Sequence, residues 1–128
     1  MTTMSNIIGI GTDILEIDRF RKVVEKQGQS FLDKIFTKAE QEYCKRHNDP
    51  LERYTARFCA KEAIAKSLGQ GFGEHIHFQD IEITNDSSGK PGVTLSEKCS
   101  TYFKNPHFHL SLSHCKQYAT ATAIALRG

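Results

Sequence analysis

Apolar and polar residues alternate in two regimes along the chain, one with period two and one with period near 3.6, and the switches between them mark the elements. Ile7-Ile8-Gly9-Ile10-Gly11-Thr12-Asp13-Ile14 is a short β-type run interrupted by two glycines, and glycine inside a strand marks a close approach of backbone or ligand. From Leu15 to Lys26 the period changes to a helix, with Ile17, Phe20 and Val24 on one face and Gly28 as its stop. Phe31 to Phe36 reads as a short amphipathic connection. Thr37-Lys38-Ala39-Glu40 has the form of a capping box and opens a helix to about Arg46. Asn48-Asp49-Pro50 breaks the chain, and Pro50 suits the first position of a third helix running from about Leu51 to Leu68. Asp80-Ile81-Glu82-Ile83-Thr84 alternates, Asn85 to Pro91 is a turn, and Val93 to Leu95 resumes, which predicts a hairpin. Ser96 caps a short helix over Glu97 to Phe103. A second hairpin follows: Phe108, Leu110 and Leu112 share one face of His107 to Ser113, and Ala119, Ala121, Ala123 and Ala125 share one face of Tyr118 to Leu126. Alanine at every second position requires something bulky against that side, and the third helix is the natural candidate.

That third helix departs from ordinary amphipathicity. At 100° per residue, Ala60, Ile64 and Leu68 form one stripe while Phe58, Cys59 and Ala63 lie well away from it. A helix apolar on nearly every side is buried, yet Glu62 and Lys66 sit on one flank of this one. Such a pair is either a surface ion pair at i, i+4 spacing, contributing a few tenths of a kcal/mol, or charge held for a ligand. Asp13 carries a similar ambiguity, as a helix cap before Leu15 or a functional carboxylate. Arg19, Lys22 and Lys26 fall in one narrow sector of the first helix, with Arg21 at its border. The sector is either a solvated face or a docking surface for an acidic partner. Gly69, Gly71 and Gly73 form a loop that can cradle a phosphate only with a cation such as Lys66, because a helix C-terminus disfavours anions.

Composition narrows the classes. The chain has 128 residues, 38% hydrophobic and 25% charged, with a formal net charge of +2, which fits one soluble domain with Met1 to Ser5 as a loose N-terminus. The charge is too small and too scattered to indicate nucleic acid, and no apolar stretch approaches a membrane span. No basic-then-apolar leader opens the chain, so a cytoplasmic location is expected. Cys44, Cys59, Cys99 and Cys115 are scattered without a CxxC, consistent with free thiols and not with a zinc site. His75 with His77, and His107 with His109, are explained by alternation as solvent-side positions rather than metal ligands. His114, at a strand end beside a turn, is the histidine best placed for a ligand.

Taken in order, Gly9-Ile10-Gly11-Thr12-Asp13-Ile14, Phe36-Thr37-Lys38-Ala39-Glu40 with Tyr43-Cys44, and Arg57-Phe58-Cys59-Ala60-Lys61-Glu62-Ala63 with Lys66 and Gly69-Gln70-Gly71 precede Asp80-Ile81-Glu82-Ile83, Gly89-Lys90-Pro91 and Leu110-Ser111-Leu112-Ser113-His114. In this series the chain resembles the holo-[acyl-carrier-protein] synthases, the short bacterial class of 4′-phosphopantetheinyl transferases, over roughly residues 6 to 126. Cys59 stands where the family more often has Ala, and Gln70 replaces a commoner Thr or Ser. The resemblance implies an α+β fold in which an antiparallel sheet packs against a long central helix, assembled as a homotrimer with the active site at the subunit interface. It implies a Mg²⁺-dependent transfer of phosphopantetheine from coenzyme A to a serine of acyl carrier protein. It assigns Asp13 and Glu62 to the metal and Lys66 to the coenzyme A phosphates, with Glu62 and Lys66 as the catalytic pair. Gly69 and Gly71, Lys90 and Pro91, and His114 fall in its coenzyme A-binding regions, and Arg19, Arg21, Lys22 and Lys26 on its carrier-docking surface. Two other classes fit less well. A silent carrier-binding protein would not need both carboxylates and the lysine, and a two-metal phosphohydrolase would need more acids than Asp13 and Glu62.

Overall fold

In the computed structural model, which describes residues 5–128, the chain forms β1 (Ile7–Glu16), α1 (Ile17–Gln27), α2 (Gln29–Ile35), α3 (Lys38–Lys45), α4 (Pro50–Ser67), β2 (Ile81–Asn85), β3 (Pro91–Leu95), α5 (Glu97–Tyr102), β4 (His107–His114) and β5 (Tyr118–Leu126). Residues 1–4 of the expected loose terminus lie outside the described residues; Ser5 accepts hydrogen bonds from the Ile7 amide and the Arg127 guanidinium. The strands make two antiparallel sheets, one in the order β1-β5-β4 and one of β2 with β3. Both hairpins fall where alternation puts them.

The larger sheet is built to let a helix come close. Ala119, Ala121, Ala123 and Ala125 on β5 are at most 1% exposed and form one core with Cys59, Ala60, Ala63 and Ile64 of α4. On β1 the same closeness requires glycine. A Cβ on Gly11 would lie 2.0 Å from the Ala63 carbonyl oxygen and 2.7 Å from the Ser67 nitrogen, and one on Gly9 would lie 2.4 Å from the Ser67 oxygen. These glycines therefore answer to α4 itself and not to a ligand. Helix α4 starts from the Asp49 side-chain cap with Pro50 in its first turn. It closes at Gly69 (φ 72°), where the Gln70 amide donates to the Ala65 carbonyl.

Three expectations are corrected. β1 does not stop at Ile14: Leu15 pairs with Ala119 and Glu16 with Tyr118, so α1 begins at Ile17. Asp13 is consequently a strand residue, opposite Ala121, and caps no helix. The segment from Phe31 is not a connection but most of a helix, α2. This helix shares a second core with α1 and α3, where Phe20, Leu32, Ile35, Phe36, Cys44 and Tyr54 are buried. The capping box is present, with the Glu40 amide bonded to the Thr37 hydroxyl and the Thr37 amide to Glu40 Oε1. Between the cores, Lys61 and Glu40 form a fully buried ion pair at 2.7 Å. The cysteine thiols are all free, three buried and Cys115 exposed.

Candidate active site

Asp13, Glu62 and Lys66 meet where β1 passes α4. Ile14 on β1 and its neighbours of the same parity face outward, so Asp13 turns inward toward the helix and its side chain is only 19% exposed. Lys66 Nζ lies 3.2 Å from Asp13 Oδ1 and donates to the Thr12 carbonyl at 3.0 Å. Its ion pair is thus made across the fold rather than along the helix. Glu62, one turn before Lys66, is half-buried. Burial, and then the charge of Asp13, hold its carboxyl above the usual carboxylate range against the opposing pull of Lys66. Behind the trio is Cys59. Its Sγ donates to the Ala119 carbonyl at 3.5 Å. Burial foremost, then the neighbouring Asp13, push this thiol up to about 12, so it stays protonated and acts as a small packing residue.

A second group lies on the other side of α4, around a cleft of about 290 Å³. Pro91 and His114 line it, joined by Tyr43, Arg53, Arg57 and Asn85. His114 Nδ1 is 2.9 Å from Glu52 Oε1. Arg57 is 3% exposed. Its Nη2 donates to Asn85 Oδ1 at 2.7 Å and its guanidinium lies 4.0 Å over the Tyr43 ring. Its Nε is buried without any partner among the described residues. A buried guanidinium N–H left unsatisfied is costly, and Arg57 is one of the residues that line the cleft.

Not every predicted residue joins these groups. Lys90 is exposed on the turn and does not line the cleft, though its amide donates to Asp86. Gly69 is exposed and Gly71 likewise, and a Cβ on either would meet nothing within 4 Å. Arg19, Arg21, Lys22 and Lys26 are exposed on α1, with Arg21 3.8 Å from Asp18. Arg19 also borders a shallow groove with Ile14, Leu15 and Tyr118. Sequence reasoning assigned no role to Arg57, Arg53, Tyr43 or Asn85. One signal was available: Arg53 and Arg57 recur at i, i+4 on a helix that is otherwise apolar on most sides, and a buried arginine needs an anion or an acceptor.

Among the described residues no three His, Cys, Asp or Glu side chains gather in a metal-binding group. The donor set at β1 and α4 is two carboxylates. That set suits a hard cation that keeps waters and takes further oxygens from a phosphate, and it does not suit zinc. No helix among the described residues is long and apolar enough to cross a membrane.

Known proteins resemble the chain over most of its length. The sequence profile of the 4′-phosphopantetheinyl transferase superfamily matches residues 9–123. The holo-[acyl-carrier-protein] synthase of Protochlamydia amoebophila is 46% identical over 117 residues, covering 91% of this chain and 96% of that protein. The Chlamydia pneumoniae synthase is 48% identical over 120 residues, covering 94% and 98%. Among solved structures, the Neisseria meningitidis synthase superposes with a TM-score of 0.88 at 31% identity over 94% of this chain and 99% of that one. The Helicobacter pylori synthase in complex with coenzyme A gives 0.83 at 32% identity over 91% and 98%. With its antiparallel sheet packed on α4 and carboxylates at their junction, the chain belongs to the 4′-phosphopantetheinyl transferase superfamily, among the holo-[acyl-carrier-protein] synthases.

Proposed function

We propose that this protein transfers the 4′-phosphopantetheine group of coenzyme A to a serine hydroxyl of acyl carrier protein, converting apo- to holo-carrier for fatty acid biosynthesis. The observation that carries the reading is the junction of Asp13, Glu62 and Lys66, two carboxylates and an ammonium where β1 crosses α4. In the reaction the serine oxygen forms a bond to the pantetheine-bearing phosphorus. The bond from that phosphorus to the bridging oxygen of the pyrophosphate breaks, and adenosine 3′,5′-bisphosphate leaves with the oxygen. Asp13 and Glu62 would hold Mg²⁺, which when bound supplies positive charge to the pyrophosphate. Lys66 is half exposed, free enough to leave Asp13 and meet the phosphates as a second cation. Glu62 is also the candidate base for the serine proton, being the half-buried carboxylate of this group.

The cleft of Arg57, Pro91 and His114 receives the adenosine end with its 3′-phosphate, the Gly89-Lys90-Pro91 turn covers the base, and Gly69 and Gly71 border the phosphates. Arg19, Arg21, Lys22 and Lys26 form the docking face for the acidic carrier. The whole chain acts as one transferase domain of a cytoplasmic homotrimer, with active sites between subunits. The outer face of the sheet supports that assembly, since Ile10 and Ile14 are 64% and 63% exposed, large apolar groups that a monomer would leave in water. Mass spectrometry of apo-acyl carrier protein incubated with this protein, coenzyme A and Mg²⁺ tests the reading. The carrier gains one phosphopantetheine group; a carrier left at its apo mass refutes it.

A further inference from the structure

We propose that Tyr43 and Asn85 are positioning residues that lock Arg57 for a terminal phosphomonoester, and so set the preference for coenzyme A over its form lacking the 3′-phosphate. This rests on the cleft being the adenosine subsite. An arginine carries five N–H donors in a rigid fork. In this chain its orientation is fixed twice. The Tyr43 ring lies under the guanidinium at 4.0 Å, and the ring is itself backed by His47 at 4.6 Å. Asn85 Oδ1 holds Nη2 at 2.7 Å. Asn85 takes one N–H of Nη2, which leaves the others of the fork: Nε is buried without a partner among the described residues, and the residue itself lines the cleft. A guanidinium on the cleft wall, held at one edge and one face with further N–H donors left over, is organised before any ligand arrives, and a doubly charged phosphate is the acceptor that gains most from it.

Asn85 also joins the two walls of the cleft. Its Nδ2 donates to the Gly89 carbonyl at 3.0 Å while its Oδ1 holds Arg57, so one amide ties α4 to the β2–β3 turn. The turn does not depend on that bond. Asp86 Oδ1 accepts from the Ser88 and Lys90 amides, and the Gly89 amide donates to the Asp86 carbonyl. Removing the Asn85 amide should therefore release Arg57 and leave the turn standing.

The test is calorimetric binding of adenosine 3′,5′-bisphosphate and of adenosine 5′-monophosphate to the full chain, with melting temperature recorded for each variant. The native protein binds the bisphosphate more tightly. Asn85→Leu and Tyr43→Leu each lose about tenfold of that preference, the scale of one oriented charge-assisted hydrogen bond, through weaker bisphosphate binding with little change for the monophosphate. Tyr43→Phe, which keeps the ring face, keeps the preference. A native protein without preference refutes the subsite reading itself. A native preference retained in full by both leucine variants overturns the positioning role, and so does equal weakening of the two nucleotides.

Discussion

The pair most exposed to a decisive experiment is Lys61 with Glu40, because neither side chain reaches solvent and each is tied to backbone from other elements. Lys61 Nζ sits 2.7 Å from Glu40 Oε1 and donates to the carbonyls of Ile35 at 2.7 Å and Phe78 at 3.0 Å. Glu40 accepts from the amides of Thr37 and Ile83, both at 2.8 Å. Burial holds the Lys61 pKa below its ordinary value, with the Glu40 charge opposing, so the ammonium is stable there only because its partners surround it. Lys61→Met keeps the volume and removes the charge. It leaves a buried carboxylate without its cation and two carbonyls without a donor. Breaking a buried pair in this way costs about 3–5 kcal/mol, a large share of the roughly 5–15 kcal/mol that holds a domain together. Urea unfolding followed by circular dichroism reads the loss. Glu40→Gln should cost a similar amount, and the double variant should cost less than the sum by about 1–3 kcal/mol, since the second substitution removes the charge the first one stranded. A Lys61→Met loss under about 1 kcal/mol, or strict additivity in the double variant, would refute the claim that this pair is held as a coupled unit.

The other expectations concern the site and its surroundings. Glu62→Gln should abolish Mg²⁺-dependent transfer with the melting temperature preserved; full activity would remove Glu62 from the metal and proton roles. Reversing charge at Arg19 and Lys22 should raise KM for acyl carrier protein and leave KM for coenzyme A alone, whereas equal effects on both would mean general damage. Gly11→Ala drives a Cβ into the Ala63 carbonyl and should lower stability by about 1–3 kcal/mol or more, with transfer falling as β1 and Asp13 shift; unchanged unfolding would mean that β1 can give way. Ile10→Glu puts charge on the proposed assembly face, and sedimentation should then show smaller species than the native protein; an unchanged sedimentation coefficient would place assembly elsewhere.

What could be read from sequence was whatever depends on neighbours a few residues away. The Thr37–Glu40 box, the Asp49-Pro50 start of α4 and the two hairpins are local chemistry, and each is found in the fold. The end of β1 is not local. Leu15 and Glu16 fit a helical pattern on their own, but pairing with Ala119 and Tyr118, more than a hundred residues on, keeps them extended. Helix α2 is only 7 residues long, too short for periodicity to declare itself. Arg57 shows the same limit at the site. It lay within a motif, yet its chemistry depends on Tyr43 on α3 and Asn85 on β2, and neither neighbour is visible from the helix. For Glu62 and Lys66 the i, i+4 spacing left open a pair with each other or charge held for a ligand; the ion pair that forms reaches from Lys66 to Asp13 on β1.

The alanine face of β5 explains how one helix can serve both groups of residues. Because Ala119 to Ala125 and the β1 glycines let α4 lie close on the sheet, the helix is fixed in rotation as well as position, and its flanks are committed. Arg57 and Glu62 are five residues apart, about 140° around the axis at 3.6 residues per turn. The carboxylates therefore look toward β1 while the arginine looks toward His114 on β4, with β5 between. A single coenzyme A molecule cannot lie straight across a packed helix to meet both. Within the proposed assembly the difficulty becomes a design: each subunit offers its arginine cleft on one flank and its carboxylates on the other, and a neighbouring copy can complete the site that either flank begins. The outward Ile10 and Ile14 lie on the same strand that brings Asp13 to α4, so association through that face would bring the carboxylate group to the boundary between subunits.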